Sequence, residues 1–208
     1  MLGQHQGANV LIPESSKGNT LIEMMIAIVI LCILLVLTVR SYGVWIANSR
    51  IRTAAETLAA GLSAARNEAI KRNRSVGFYL VTDLSSDCGV SGSGTSWVAS
   101  IDDPAKKCGV AVAAAVEPFI VAKKSAAEGT DKVTISALDA SGAAASSIIF
   151  NGVGRVLLTG PSPIAKIDIA SSALASDQAR EMRIVLTTGG MIRMCDPSIS
   201  NATDTRIC

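Results

Sequence analysis

The sequence predicts an α+β protein in which one long N-terminal helix is followed by a domain of short antiparallel strands. Three observations lead there: an unbroken apolar run near the start, an apolar stripe at three- and four-residue steps beyond it, and short β-branched runs from Ser75 onward, separated by Gly, Ser, Asp and Pro. Short strands after a single helix are the pattern of an antiparallel sheet packed on that helix.

From Met24 to Leu37 every residue is apolar, and Leu21, Ile22, Thr38 and Val39 extend the run before Arg40 ends it. At about 1.5 Å per helical residue these roughly 19 residues reach about 28 Å, close to the roughly 30 Å of a bilayer's hydrocarbon core. A helix buried in a soluble domain would show a polar stripe at helical spacing, and none interrupts Met24 to Leu37. We therefore expect residues 19–40 to span a membrane. A secretory signal peptide fits less well, because only Lys17 precedes the run as a positive charge and no A-x-A-like site follows it. The small residue stands upstream instead, as Gly18.

The helix is expected to continue as an amphipathic segment over 41–74. Ile51, Ala55, Leu58, Leu62, Ala65, Ala69 and Ile70 recur at three- and four-residue steps, while Arg50, Arg52, Glu56, Arg66, Lys71 and Arg72 fall on other faces. From Thr20 to about Arg72 such a helix would measure roughly 80 Å. Gly43 and Gly61 each lower helix propensity by about 1 kcal/mol relative to Ala and mark points where it can bend.

Residues 75–208 read as the strand-rich domain. Strands are expected at 75–81, 132–135, 147–150, 165–169 and 181–186, and Leu186 to Cys195 reads as a hairpin turning at Thr187-Thr188-Gly189-Gly190. The Ala/Ser stretches 111–115 and 140–147 read as loops.

Of five cysteines, Cys32 lies inside the apolar run and is most simply a packing residue. Cys88, Cys108, Cys195 and Cys208 form an even set in a segment expected beyond the membrane, and disulfides belong to oxidising compartments such as the periplasm. Four cysteines allow three connectivities. Cys88 with Cys108 and Cys195 with Cys208 is the simplest, closing a Gly/Ser-rich loop and pinning the C-terminal tail, each for roughly 3 kcal/mol in the loop-entropy model. A four-cysteine zinc site is the rival, and it lacks the paired short spacings.

Composition excludes much chemistry. The single histidine, His5, precedes Gly18, so the chain from Asn19 onward holds no His for a Ser-His-Asp or Cys-His arrangement. No P-loop, G-x-G-x-x-G or C-x-x-C motif occurs. Without residues 1–18 the chain keeps 18 basic and 16 acidic residues, a net charge of +2 that makes no dedicated nucleic-acid footprint. An enzyme built on paired carboxylates or on Ser-Lys stays open as a third class, but no residue pattern marks one, and we expect neither an enzyme nor a bound cofactor or metal.

Lys17-Gly18-Asn19-Thr20-Leu21-Ile22-Glu23 resembles the leader junction of type IV prepilins and type II secretion pseudopilins. The resemblance implies that 1–18 is a leader, that a prepilin peptidase cuts between Gly18 and Asn19, and that the new amino group of Asn19 is methylated. Asn19 departs from the pattern, which usually has Phe or Met there. Glu23 would be fifth in the mature chain, and the resemblance implies that it pairs with the N-terminal amine of a neighbouring subunit and sets axial register. The plainer reading is an acid in the first helical turn, favoured by the helix dipole.

The segment from Arg52 to Arg72 narrows the resemblance. Ala65, Arg66, Glu68, Ala69, Ile70 and Arg72 match the A-R-x-E-A-I-x-R core of the GspH/FimT family of minor pilins and pseudopilins, and Phe150 followed by the Gly152/Gly154 turn is similar to its middle motif. This implies a type IV pilin-like fold, a single pass through the bacterial inner membrane with the domain in the periplasm, and incorporation into a type IV pilus or, alternatively, a type II secretion pseudopilus. Implied partners are the peptidase, other minor pilins or pseudopilins and the major pilin. DNA-binding members carry G-R-x-R on the last hairpin. Here Gly190 and Arg193 match but Met191 replaces the first Arg, so DNA contact, with Arg180, Arg183 and Arg206 as further cations, is expected to be weakened.

Overall fold

A computed structural model of the chain describes residues 18–113, 115–126, 132–175 and 177–208, with the backbone alone over 36–41. The predicted leader, up to Lys17, lies outside the described residues. The chain divides into two compact units, Met1–Arg40 and Ser41–Cys208. One helix, α1 (Leu21–Arg72), contributes to both.

In the first unit every described side chain from Leu21 to Leu35 is exposed, including twelve large apolar ones. Among the described residues no helix is long and apolar enough to cross a membrane. The run predicted to do so continues through 36–39, whose side chains are not among those described.

In the second unit α1 buries the predicted stripe. Ile51, Ala55, Leu58, Leu62, Ala65 and Ala69 are enclosed, joined by Ala54. Ile70 departs from expectation and is 44% exposed, because Ala69 already occupies the core-facing position beside it. The helix ends in a Schellman motif: the Asn73 N–H donates to the Ile70 carbonyl and the Arg74 N–H to that of Ala69, at 3.2 and 3.1 Å. Asn73 takes the left-handed conformation this requires, with φ of 48°.

Among the described residues eight strands follow: β1 (Val76–Val81), β2 (Ser96–Ser100), β3 (Ile120–Lys124), β4 (Val133–Leu138), β5 (Ser147–Phe150), β6 (Lys166–Ser171), β7 (Met182–Leu186) and β8 (Ile192–Cys195). They form two four-stranded sheets, ordered β3-β2-β1-β5 and β4-β6-β7-β8, instead of one continuous sheet. All the pairings are antiparallel. The α1 stripe, Phe78 and Leu80 of β1, Ile148 and Phe150 of β5, Ile167 and Ile169 of β6 and Ile184 of β7 share a single core, so both sheets pack on the same helix.

The predicted strands over β1, β4, β5, β6 and β7 and the β7–β8 hairpin appear close to their expected places, whereas β2 and β3 were not anticipated. The cause is a second apolar cluster on the other face of the first sheet, made by Tyr79, Val81, Val98 and Ile120 with Cys88 and Cys108. With both faces covered, β1 and β2 are buried along their whole length. A strand buried on two sides loses the alternation that identifies it. The Cys88–Cys108 disulfide, with a sequence separation of 20, ties down the segment that makes this second cover. The other disulfide joins Cys195 to Cys208 and folds the tail back, where the Asp196 N–H donates to the Arg206 carbonyl at 2.8 Å.

Gly61 is explained by a close approach. A Cβ there would stand 2.8 Å from the Trp97 ring and 2.9 Å from that of Phe78. Helix propensity alone would favour Gly61→Ala by about 1 kcal/mol, but forcing a methyl against two packed rings costs about 1–3 kcal/mol. We expect a net loss, read as a lower midpoint in chemical denaturation; a raised midpoint would mean that the rings can retreat.

Glu68 anchors the last turns of α1. The Arg72 guanidinium, with Lys71 adding to it, holds the Glu68 carboxyl below its ordinary value of 4.5. A depressed carboxyl contributes stability that is present above its unfolded value and lost as pH falls through the folded one. Glu68→Gln should therefore cost about 0.5 kcal/mol at neutral pH, with the deficit against the unaltered protein vanishing as the pH is taken below 4.5. Denaturation curves across that range test it, and a deficit that persisted in acid would place the effect in packing instead.

Candidate functional site

The first candidate lies where α1 begins. Gly18 and Asn19 are exposed ahead of the helix, and Thr20 caps it: its Oγ1 accepts from the Glu23 N–H at 3.3 Å, and its carbonyl from the Met24 N–H at 3.2 Å. Thr20 and Glu23 thus occupy the first and last places of a T-x-x-E capping box. That spacing was readable in the sequence and identifies Thr20 as a residue the sequence reading passed over. Glu23 is the one charged residue between Leu21 and Val39, in the first turn where the helix dipole favours an acid.

The second candidate is the junction between the end of α1 and two turns. Arg66 donates from Nε to the Gly154 carbonyl at 2.9 Å. The β5 turn that presents this carbonyl is wound around Asn151, whose Oδ1 accepts the Val153 and Arg155 N–H groups at 3.1 and 3.0 Å. Gly154 and Gly190 have φ of +76° and +84°. A Cβ on Gly190 would fall on the Gly154 carbonyl oxygen, so the β7–β8 turn approaches Arg66 only as glycine. Ser63, Arg66 and Asn67 of α1 and residues 189–192 line a polar cavity of about 430 Å³. Arg66 and Ile70, matched in sequence as part of a motif, are thereby placed as a clasp between helix and turn, whereas Glu68 and Arg72 of the same motif pair with each other along the helix. No spacing in the sequence marks Gly154 as the partner of Arg66.

The five residues considered for DNA contact come from the segment before β7, from β7 and β8 and the turn between them, and from the C-terminal tail. Gly190 stands in the turn beside Arg66 and Met191 is exposed next to it. Arg193 lies opposite Val185 in the β7–β8 pairing, on the face of the sheet away from core residue Ile184, and Arg183 shares that face. Arg183 is ion-paired with Asp168 of β6, and this hydrogen bond raises its pKa further. Arg206 pairs with Asp204 at 2.8 Å, holding the Asp204 carboxyl down at about 2. Arg193 donates to the Cys208 backbone oxygen at 3.1 Å. Arg180 sits before β7, its backbone N–H donating to the Asn48 side chain at 2.7 Å. Two of the four guanidinium groups are neutralised by carboxylates, so the arrangement offers a phosphate less net charge than the count of arginines promises. Among the described residues no group of His, Cys, Asp and Glu is arranged to hold a metal ion.

A family model described as type II transport protein GspH matches residues 54–190, and a model of the prokaryotic N-terminal methylation motif matches residues 15–39. Two crystal structures of the type IV minor pilin FimU from Pseudomonas aeruginosa strain PAO1, in space groups P65 and P21, are similar to the chain at 18% identity and a TM-score of 0.44. They cover 69% and 70% of this chain and 90% and 88% of their own. No curated protein matches the chain. The GspH match spans more than half of the sequence and includes the Arg66 clasp, the strands from β1 to β7 and the turn up to Gly190, so the chain belongs to the GspH family of minor pilins and pseudopilins.

Proposed function

We propose that this protein is a minor subunit of a type IV pilus, cut between Gly18 and Asn19 by a prepilin peptidase, methylated on Asn19, and held in the inner membrane by residues 19–40 with its domain in the periplasm until it is drawn into the filament. The observation that carries this reading is the apolar sleeve of α1, in which twelve large apolar side chains between Leu21 and Leu35 are exposed. Burying such side chains is worth about 1.5–3 kcal/mol each. The helix therefore needs a cover of lipid, and later of other helices. The same reading gives it a place near the filament tip, among other minor subunits and above the major pilin.

Glu23 is the register element of this proposal. It is the only charge in an otherwise apolar sleeve, and a carboxylate carried into hydrocarbon costs at least about 2.5 kcal/mol without a partner. The N-terminal amine of an adjacent subunit supplies that partner. The second reading, a pseudopilus of a type II secretion system, is favoured by the description of the matched family model, type II transport protein GspH.

Glu23→Ala should leave membrane insertion intact and abolish co-purification with filament subunits, since insertion depends on the sleeve and assembly on the pair. Co-purification at the unaltered level would sink the assembly role. The partners recovered with the unaltered protein separate the two readings: other minor pilins and a major pilin for the pilus, general secretion components for the pseudopilus.

A further inference from the structure

Between the end of the apolar run and the first residue buried in the second unit lies a short stretch of α1. The run ends at Val39, and the first residue the domain buries is Ala47. Asn48 is already fixed to the 177–180 segment, its amide donating to the Gln178 carbonyl at 3.1 Å. In the gap stand Tyr42 and Trp45, one helical turn apart, 62% and 64% exposed. Their rings stack on each other, with centroids 5.9 Å apart and planes 27° from parallel.

This placement is selective within the molecule. The chain has two tryptophans and two tyrosines. One of each, Trp97 and Tyr79, is buried in the domain, and the other of each stands in the gap, uncovered. Both carry an apolar body and a polar tip, N–H or O–H, and such rings settle where one end can be dry and the other wet.

We propose that Tyr42 and Trp45 form an interfacial anchor, seated in the headgroup layer of the bilayer where the apolar run leaves it. The pair fixes the depth at which the helix is held before assembly. This rests on the membrane reading above and adds to it a lipid-contact site outside the hydrocarbon span. Continuity with the run selects lipid as the occupant; a neighbouring subunit's helix is the alternative that the experiment excludes.

The test uses the full chain reconstituted in vesicles of phosphatidylethanolamine and phosphatidylglycerol carrying lipids brominated either near the headgroup or near the chain end. Trp97→Phe leaves Trp45 as the single tryptophan and removes an indole N–H that has no hydrogen-bond partner. We expect emission shifted to the blue of its aqueous value and quenched more by the shallow bromines than by the deep ones. Should Trp97→Phe disturb folding, the difference between the unaltered protein and Trp45→Phe gives the same reading, and the shallow quenching should disappear with Trp45. If the protein floats with the vesicles but Trp45 is quenched by neither lipid, or more by the deep one, the anchor is refuted while the membrane span stands. If the protein does not float at all, both fall.

Discussion

Both sheets of this protein are held by one stripe of one helix. Ile51, Leu58, Leu62, Ala65 and Ala69 of α1 face a core to which β1, β5, β6 and β7 all contribute. The two sheets have no strand in common, and the stripe gives them a shared core beside backbone bonds such as that from the Ala137 N–H to the Gly92 carbonyl. Its small members matter as much as its large ones. Ala54, Ala55, Ala65 and Ala69 keep the helix surface low enough for strands to approach, and Gly61 makes room for Trp97 and Phe78. A stripe of leucines alone would bury more area and hold the sheets further off.

Seen from this packing, the family motif around Arg66 is a structural device. Ala65 and Ala69 supply the buried face, Glu68 ties the last turns together through Arg72 and Lys71, and Ile70 covers Gly154. Arg66 reaches out to the Gly154 carbonyl, and Gly190 lies against the same carbonyl. One hydrogen bond from the helix thus aligns two turns, one from each sheet. The motif is readable by resemblance, but its physical meaning appears only when residues 88 apart in sequence are brought together.

Covered faces account for only part of what was legible: β1, buried on both, was found through its apolar and aromatic run, and β3, half-buried along most of its length, was not. The helix announced itself through its apolar run and stripe, and β4 and β6, buried on one side, alternate along much of their length and were found. β2, Ser-Trp-Val-Ala-Ser, is buried throughout, with polar Ser96 and Ser100 enclosed at its ends. Nothing in its pattern separates it from a loop. At the helix start, Glu23 stood out because a charge beside an apolar run is costly, while Thr20 did not, although the two form one capping device. The arginines of the last hairpin were countable from sequence, but Asp168 and Asp204, which neutralise two of them, are identified only by the cross-strand register and the folded tail.

The ends of the two sheets carry a further consequence. Strand edges invite pairing with any other chain that passes, and a subunit destined for a crowded polymer meets many copies of related domains. Here β3 carries Lys123 and Lys124, β5 and β8 are only four residues long, and the chain folds back on β4 and β5 through the Leu138–Ala144 and Phe150–Val156 bridges. Beyond β8 the Cys195–Cys208 tail supplies its own parallel bridge, Asp196 to Ile207. The domain is thereby made a poor adhesive along its strands, so that chance sideways stacking of one domain on another is disfavoured.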